Sequence, residues 1–539
     1  MKYNNEYNHN YIDVNECTSR GACSISPTIA SLEELSIIFL QHLAYYILKL
    51  NELGASNDEI QYEIIKVLAS LVAVNEFSEN QLFAIVQNEY FMLDDTKNTY
   101  KKLCKEKNIQ AKELKNIEEF NSSTTLPKAI ALGEKIFLDK YYKKTTEQKN
   151  LTEILYIVIK SVSINLIKLN DFEHIDSKIY HEILQILNLL NNKKITTSQI
   201  LSSIKELSQY DKELQIKICG LLEKFFGKIS KTEVSHSTRK GKAILVSGNN
   251  FFDLMKILNE TKDKDIDIYT HSNLLITHAL KNFHKFPHLR GHYGDTTENC
   301  ILDFATFPGS ILLTKNARTN NEYLYRGRLF SNDYIVPSGV IKIENDDYTP
   351  VIETTLMAKG FSKGKIKDNT VIGYNENEIS EKFDKIIEKL NSNSLKKLYI
   401  IGLDAHSENQ KEYFHEFFSK LHENEFAISF GYESKKDNVL TINIGNYVPL
   451  ATNILKKLFD RYSITSDKIV FFFTTCDVMT ISSIVTLSSL EAKNIYMAQC
   501  PPTLVNPSVY ETFNKTFKIN TTTTAKEDLQ KIRNEKSTQ

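Results

Sequence analysis

Charge of one sign is what this chain of 539 residues most plainly lacks, since Lys+Arg number 66 and Asp+Glu number 67. A balance that close excludes attraction of nucleic acid by bulk charge. Glycine (18) and proline (10) are sparse, as suits a compact, regular molecule. The seven cysteines, at 17, 23, 104, 219, 300, 476 and 500, form no CxxC pair and no repeated spacing, so neither a disulfide framework nor a zinc ribbon follows. Most of them read as buried thiols. The opening "MKYNNEYNHNYIDVNECTSRGACSI" has no unbroken apolar core of the signal-peptide kind, and no later run approaches roughly 18 uncharged apolar residues. The expected location is the cytosol, without a membrane span. Walker A and GxSxG motifs are also missing, and "VSGNNFF" lacks the remaining glycines of a dinucleotide fingerprint.

What is present divides by periodicity. A chain this long holds roughly three or four domains. From Ser31 to about Ile229 apolar residues recur at helical spacing, and three starts carry capping-box pairs: Ser31 with Glu34, Ser56 with Glu59, and Ser78 with Gln81. Gly54 closes the first of these helices. Across "GKISKTEVSHSTRKGKA", residues 227–243, polar and basic residues replace the pattern. This reads as a linker whose "TRKGK" run is either a phosphate contact or, as favoured, a solvated connection. Beyond it come "KAILVSG", "DIDIYTH", "SILLTKN", "KKLYIIGLD", "VLTINIG", "KIVFFFTT" and "NIYMAQ", separated by helical stretches. Short apolar runs without alternation are the mark of buried parallel strands. The fold class is therefore α plus α/β: a helical-bundle domain over 1–236, then two α/β domains with mainly parallel sheets over 237–375 and 376–539, the helical "ENEISEKFDKIIEKLNSNSLKK" marking the second boundary.

Loops after strand carboxyl ends are where such sheets bind ligands. Here they read "SGNN", "THSNLL", "TKNAR", "GLDAH", "IGNY" and "TTCDVM". His271, His278, His284, His288 and His292 lie close in sequence, but Pro287 interrupts the helix that would align His284 with His288. A metal site and a set of surface or hydrogen-bonded structural histidines are the two readings, the second favoured. Cys476 is the cysteine placed at a strand end, either a reactive thiolate or a buried thiol.

Three stretches taken together, "DIYTHSNLLITHALKNFHKFPHLRGHYG", "FPGSILLTKNA" and "YLYRGRLFSNDYIVPSG", resemble the hybrid-cluster protein (prismane) family, whose members are known as hydroxylamine reductases. The segments "ECTSRGACSISPTIASLEEL", "CPPTLVNPSVYETF" and "TTTTAKEDLQKI" extend the likeness over most of the chain. The resemblance implies a helical domain followed by two α/β domains, an N-terminal iron-sulfur cluster, and a hybrid iron-sulfur-oxygen cluster held by strand-end loops. It also implies which residues stand at the ligand positions. The N-terminal pattern C-x2-C-x8-C-x5-C falls on Asn5, Asn8, Cys17 and Cys23. The hybrid-cluster positions fall on Asn249, Asn273, Ala317, Leu403, Ile444 and Cys476, and the helical segment bearing the family's last glutamate and nearby lysine is shortened between Thr480 and Leu490. Of these only the cysteines keep a thiol. Aliphatic side chains have no lone pair for iron, and a neutral amide is a poor iron ligand.

The expectation is thus a degenerate, cluster-free relative, with no metal or other cofactor and no nucleic-acid or membrane partner. It would act through its surface as a structural or interaction protein, self-association being the first partnership to test. Two alternatives are residual hydroxylamine or nitric-oxide reduction, or thiol chemistry at Cys476, and a small-molecule ligand in the vacated cleft. Asn249, Asn273, Lys315, Asn316, Arg318, Asp404, Asn446 and Cys476 would line that cleft.

Overall fold

The structure is a computed structural model and describes residues 26–114, 120–142, 145–192, 194–294, 300–315, 325–333, 336, 339–404, 407–475, 478–498 and 507–534. Contacts divide the chain into two units. One takes in the described residues up to Asp211 and the helical segment ending at Thr516. The other runs from Lys212 and carries both large sheets.

The first unit contains helices α1 (Pro27–Glu52), α2 (Asp58–Ser70), α3 (Glu79–Glu106), α4 (Leu126–Tyr142), α5 (Thr146–Asp171), α6 (Ser177–Leu190) and the start of α7 (Thr197–Phe226). Helix α5 is hydrophobic on nearly every side, with Leu151, Ile154, Leu155, Val158, Val162 and Ile167 each at most 1% exposed. By length and composition it could cross a membrane, yet its apolar window is wholly buried within the protein. A helix apolar all round is expected at the centre of a bundle. Two buried polar pairs lie in this core: Ser36 Oγ donates to Glu89 Oε1 (2.6 Å), and Gln41 Nε2 to the Tyr156 hydroxyl (2.7 Å). Burial raises the Glu89 carboxyl well above the usual range.

The capping box of Ser78 and Gln81 forms as expected, Gln81 N donating to Ser78 Oγ (3.3 Å) and Ser78 N to Gln81 Oε1 (3.0 Å). The other two starts are shifted. Helix α1 begins earlier, capped by Ser26 with Pro27 in its first turn, and Ser31 lies inside it, bonding back to Pro27 O (2.8 Å). Proline's preset φ overrides the in-register Ser–Glu pair. At α2, Asn57 accepts from Ile60 N (3.0 Å) and displaces Ser56, whose hydroxyl donates to Asp58. Gly54 stands past the end of α1 at φ +79°, the left-handed conformation that glycine tolerates.

The second unit holds two sheets of six strands. The first comprises β2 (Lys242–Ser247), β3 (Ile266–His271), β4 (Leu289–His292), β5 (Ser310–Leu313), β6 (Leu329–Ser331) and β7 (Ile341–Lys342), with helices α8 (Phe251–Glu260) and α9 (Cys300–Thr306) between them. The other comprises β9 (Lys397–Ile401), β10 (Glu425–Ser429), β11 (Val439–Thr441), β12 (Ile469–Phe473), β13 (Asn494–Met497) and β14 (Ile519–Thr521). Its helices include α11 (Glu376–Asn391), α13 (Val448–Phe459) and α14 (Val478–Ser489). Counted from its own first strand, each sheet has the order 3-2-1-4-5-6, and every pairing in both is parallel. All residues of β3, β5, β9 and β12 are buried, which explains their unbroken apolar runs. The fold is α plus α/β.

Residues 227–243 are not the solvated connection the composition suggested. Strand β1 (Thr232–Ser235) pairs antiparallel with β8 (Asn369–Ile372), and Thr238 and Lys365 exchange backbone hydrogen bonds (2.9 and 3.0 Å). Arg239 of the basic run stays exposed, but its Nη2 donates to Oδ1 of the buried Asp267 (2.7 Å). Arg290 Nε also reaches that oxygen, at 3.0 Å. A carboxylate buried in a strand requires such a partner, so the run is tied to the sheet while Arg239 and Lys240 remain exposed.

Helices α1 and α4 meet where Gly133 has no side chain, since a Cβ there would lie 2.0 Å from Ser31 O. Gly133→Ala is expected to destabilise the protein by about 1–3 kcal/mol, as overpacking does. Urea denaturation measures it, and an unchanged midpoint would contradict the contact.

Candidate functional site

In a sheet of this order the strands on either side of the reversal send their connections to opposite faces, leaving a crevice at their carboxyl ends. The reversals fall between β2 and β5 and between β9 and β12. Asn249 and Leu403 follow the first partner of each pair, and Lys315 and Thr475 the second. The six strand-end loops read from the sequence do follow strand ends.

At the first crevice Asn250 caps α8, its Oδ1 accepting from Phe252 N (3.0 Å) and Asp253 N (3.1 Å). Thr314 Oγ1, just past β5, accepts from Asn249 N (3.0 Å) and Asn250 N (3.2 Å) and so joins the two loops. Asp253, 1% exposed, adds a second tie by accepting from Lys315 N (3.0 Å) and Asn332 Nδ2 (2.7 Å). Burial raises its carboxyl above the ordinary range, against Lys315 and those hydrogen bonds. Asn249 is half-buried, and its Oδ1 is enclosed without a hydrogen-bond partner.

The second crevice repeats the device. Asp404, 4% exposed, accepts from Thr474 N (2.9 Å), Thr475 N (2.7 Å), Thr475 Oγ1 (2.8 Å) and Thr480 Oγ1 (3.2 Å). Burial pushes its carboxyl up to about 6, against the pull of the Thr475 and Thr474 hydrogen bonds. Asp404 was expected to line a ligand cleft. Its oxygens are instead occupied by the chain's own donors.

Histidines fill the space beside the first crevice. His271 Nδ1 meets Ser247 Oγ at 2.8 Å, and its Nε2 lies 3.4 Å from Asp303 Oδ2. The trio has the residue types of a nucleophile, base and acid. However, Ser247 is 4% exposed and His271 is fully buried, leaving no open face toward a substrate. Thr270 Oγ1 lies between His278 Nε2 (2.8 Å) and His292 Nδ1 (2.9 Å), while His284 Nε2 bonds His278 O (2.8 Å) and His288 Nε2 bonds Leu258 O (3.1 Å). Burial first, then His236 and His284, hold His278 at about 3, and burial with its histidine neighbours holds His292 well below 6.5. All five histidines are hydrogen-bonded, and burial favours the neutral form of His278, His288 and His292. Among the described residues no group of three or more His, Cys, Asp or Glu has an arrangement that could hold a metal ion.

The remaining positions lie in apolar surroundings. Leu403 is 6% and Ile444 2% exposed. The loop after β3 packs on the loop after β11: a Cβ on Gly445, at φ +59°, would lie 2.8 Å from Ile276 N and 3.1 Å from Leu275 Cβ. Close by, Phe251 and Tyr447 rings meet at 5.0 Å, and Gly373 N donates to Asn443 O (2.8 Å). Asn273 is half-buried within the short 3-10 helix Ser272–Ala279, and Asn446 takes φ +60°. Asn5, Asn8, Cys17, Cys23, Asn316, Ala317, Arg318 and Cys476 lie outside the described residues. Sequence reasoning missed Asp253 and Thr314. Asp253 looked like an ordinary first-turn acid of α8, and its spacing from Asn250 was the available signal.

A family model described as the Prismane/CO dehydrogenase family matches residues 13–442, well over half of the chain. The chain belongs to that family, in keeping with the hybrid-cluster resemblance. Asn5, Asn8, Ile444 and Cys476 fall outside the matched stretch. Among solved structures, the as-isolated, nickel-free carbon monoxide dehydrogenase from Thermococcus sp. AM4, produced without the CooC maturase, is similar with a TM-score of 0.46 at 9% identity. The similarity covers 97% of this chain and 88% of that one.

Two outcomes follow from this geometry. Ile444→Ala is expected to lower stability by about 2–5 kcal/mol, the range for a buried apolar truncation, and a loss under about 0.5 kcal/mol would show a loosely filled site. Asp404 has a folded-state pKa raised from 3.8 to about 6, so its contribution to stability is greatest at low pH and is lost as pH rises through that window. Asp404→Asn puts an NH2 donor where one accepting oxygen stood, a cost at every pH, and also removes this acid-side gain. Its penalty in urea unfolding should therefore grow by about 2 kcal/mol between pH ~6.5 and ~4. A penalty independent of pH would contradict the raised carboxyl.

Proposed function

We propose that this chain is a cluster-free member of the Prismane/CO dehydrogenase family that works through its surface, as a structural or interaction protein in the cytosol, with a second copy of itself as first partner. The observation that carries the reading is the state of Leu403 and Ile444. They are 6% and 2% exposed where the resemblance places sulfur ligands. Neither side chain has an electron pair to give iron. Asn249 and Asn273 offer neutral amides where the resemblance places a histidine and a glutamate, so the described donors do not fit a hybrid iron-sulfur-oxygen cluster. Support also comes from the two crevices, where Asp253 and Asp404 already accept the strand-end N–H groups. Each nearby histidine is held through at least one ring nitrogen by Thr270, Ser247 or a backbone carbonyl.

Iron and acid-labile sulfide analysis of anaerobically purified protein tests the reading. It predicts colourless, folded protein with far less than one iron per chain. Stoichiometric iron with sulfide would overturn it and restore a reductase. Light scattering of the same protein should give a mass above that of a single chain, and a strictly monomeric solution would remove the self-association.

A further inference from the structure

A pocket of about 280 Å³ opens in the second unit between the last turns of α7, helix α13 and helix α14. Leu403, Leu455, Phe459, Leu487 and Leu490 give it an apolar lining. Protein interiors are close-packed, so a recess of this size, left open and lined by leucine and phenylalanine, is a site shaped for apolar matter. Polar residues line it as well, and most are paired: Thr486 Oγ1 donates to Ser482 O (3.0 Å). Thr452 donates to Gln215 Oε1 (2.5 Å), and Lys456 is ion-paired with Asp460, which cancels both charges. Lys212 also lines the pocket and, half-buried, has neither a hydrogen bond nor an ion pair among the described residues. Its stem can lie along the apolar wall while its ammonium stays near water. The pocket therefore combines an apolar body with one uncompensated positive charge.

We propose that it binds a single medium-chain fatty carboxylate, with the tail among the leucines and Phe459 and the carboxylate on Lys212. A cationic amphiphile would meet the Lys212 charge unfavourably, and a dianion would lack a second cation. The pocket shares Leu403 with the proposed loss of clusters, but its test reads octanoate and not iron, so the two readings fail separately.

Isothermal titration calorimetry of the full chain with octanoate, below its micellar range, tests it beside octanol and octylammonium. Octanoate should bind at one site per chain, octanol more weakly and octylammonium not at all. Lys212→Gln should weaken octanoate about tenfold while leaving octanol unchanged, since a hydrogen bond to a charged group is worth that much. Leu487→Trp should block both. Lys212 is only half-buried, so its variant remains informative even if the tryptophan variant misfolds. Absence of saturable octanoate binding, equal binding of octylammonium, or unchanged octanoate affinity in Lys212→Gln would overturn the proposal.

Discussion

A parallel sheet of order 3-2-1-4-5-6 has a mechanical problem at its reversal, because two neighbouring strand ends diverge to opposite faces and their backbone groups need partners there. This protein has the problem twice and answers it with carboxylates. Asp253 takes the Lys315 N–H across the first reversal, and Asp404 takes the Thr474 and Thr475 N–H groups across the second. Both are almost wholly buried, and both are held above the ordinary carboxylate range by that burial. An unsatisfied buried N–H costs about 1–3 kcal/mol, so these contacts weigh heavily on the strand-end loops.

The surroundings follow from that arrangement. With the crevices tied internally, the facing loops come together around Leu275, Ile276, Ile444, Phe251 and Tyr447 rather than around polar or charged groups. Beside them burial drives His278 and His292 to the neutral form, and both bond Thr270, while His271 bonds Ser247. Imidazole and carboxylate groups at strand ends would ordinarily suggest a ligand site. Here each bonds at least one neighbour in the chain, while His288 Nδ1 and His292 Nε2 are enclosed without a hydrogen-bond partner.

Strand and helix types were legible in the sequence where burial is complete. The runs "DIDIYTH" and "KIVFFFTT" could only be interior parallel strands, and their carboxyl-end loops followed directly. Short strands such as β6 and β7 were not legible, because two or three residues carry no period. The Ser31 and Ser56 starts failed for a local reason, with Pro27 and Asn57 supplying stronger signals one turn or one residue away. The region around Arg239 failed for a long-range one, since nothing in "TRKGK" announces a buried Asp267. The same limit hid the ties across the reversals: Asp253 and Thr314 are far apart in sequence from the groups they join, and only the sheet order brings them together.

The account's central claim is that the strand-end loops are held by the chain's own side chains and do not depend on an inorganic centre. Thermal unfolding before and after anaerobic incubation with ferrous iron and sulfide addresses it directly, because any group that binds only the folded state raises its midpoint. The account predicts the same midpoint in both samples and no retained iron after desalting. A higher midpoint that tracks the iron retained per chain would contradict it.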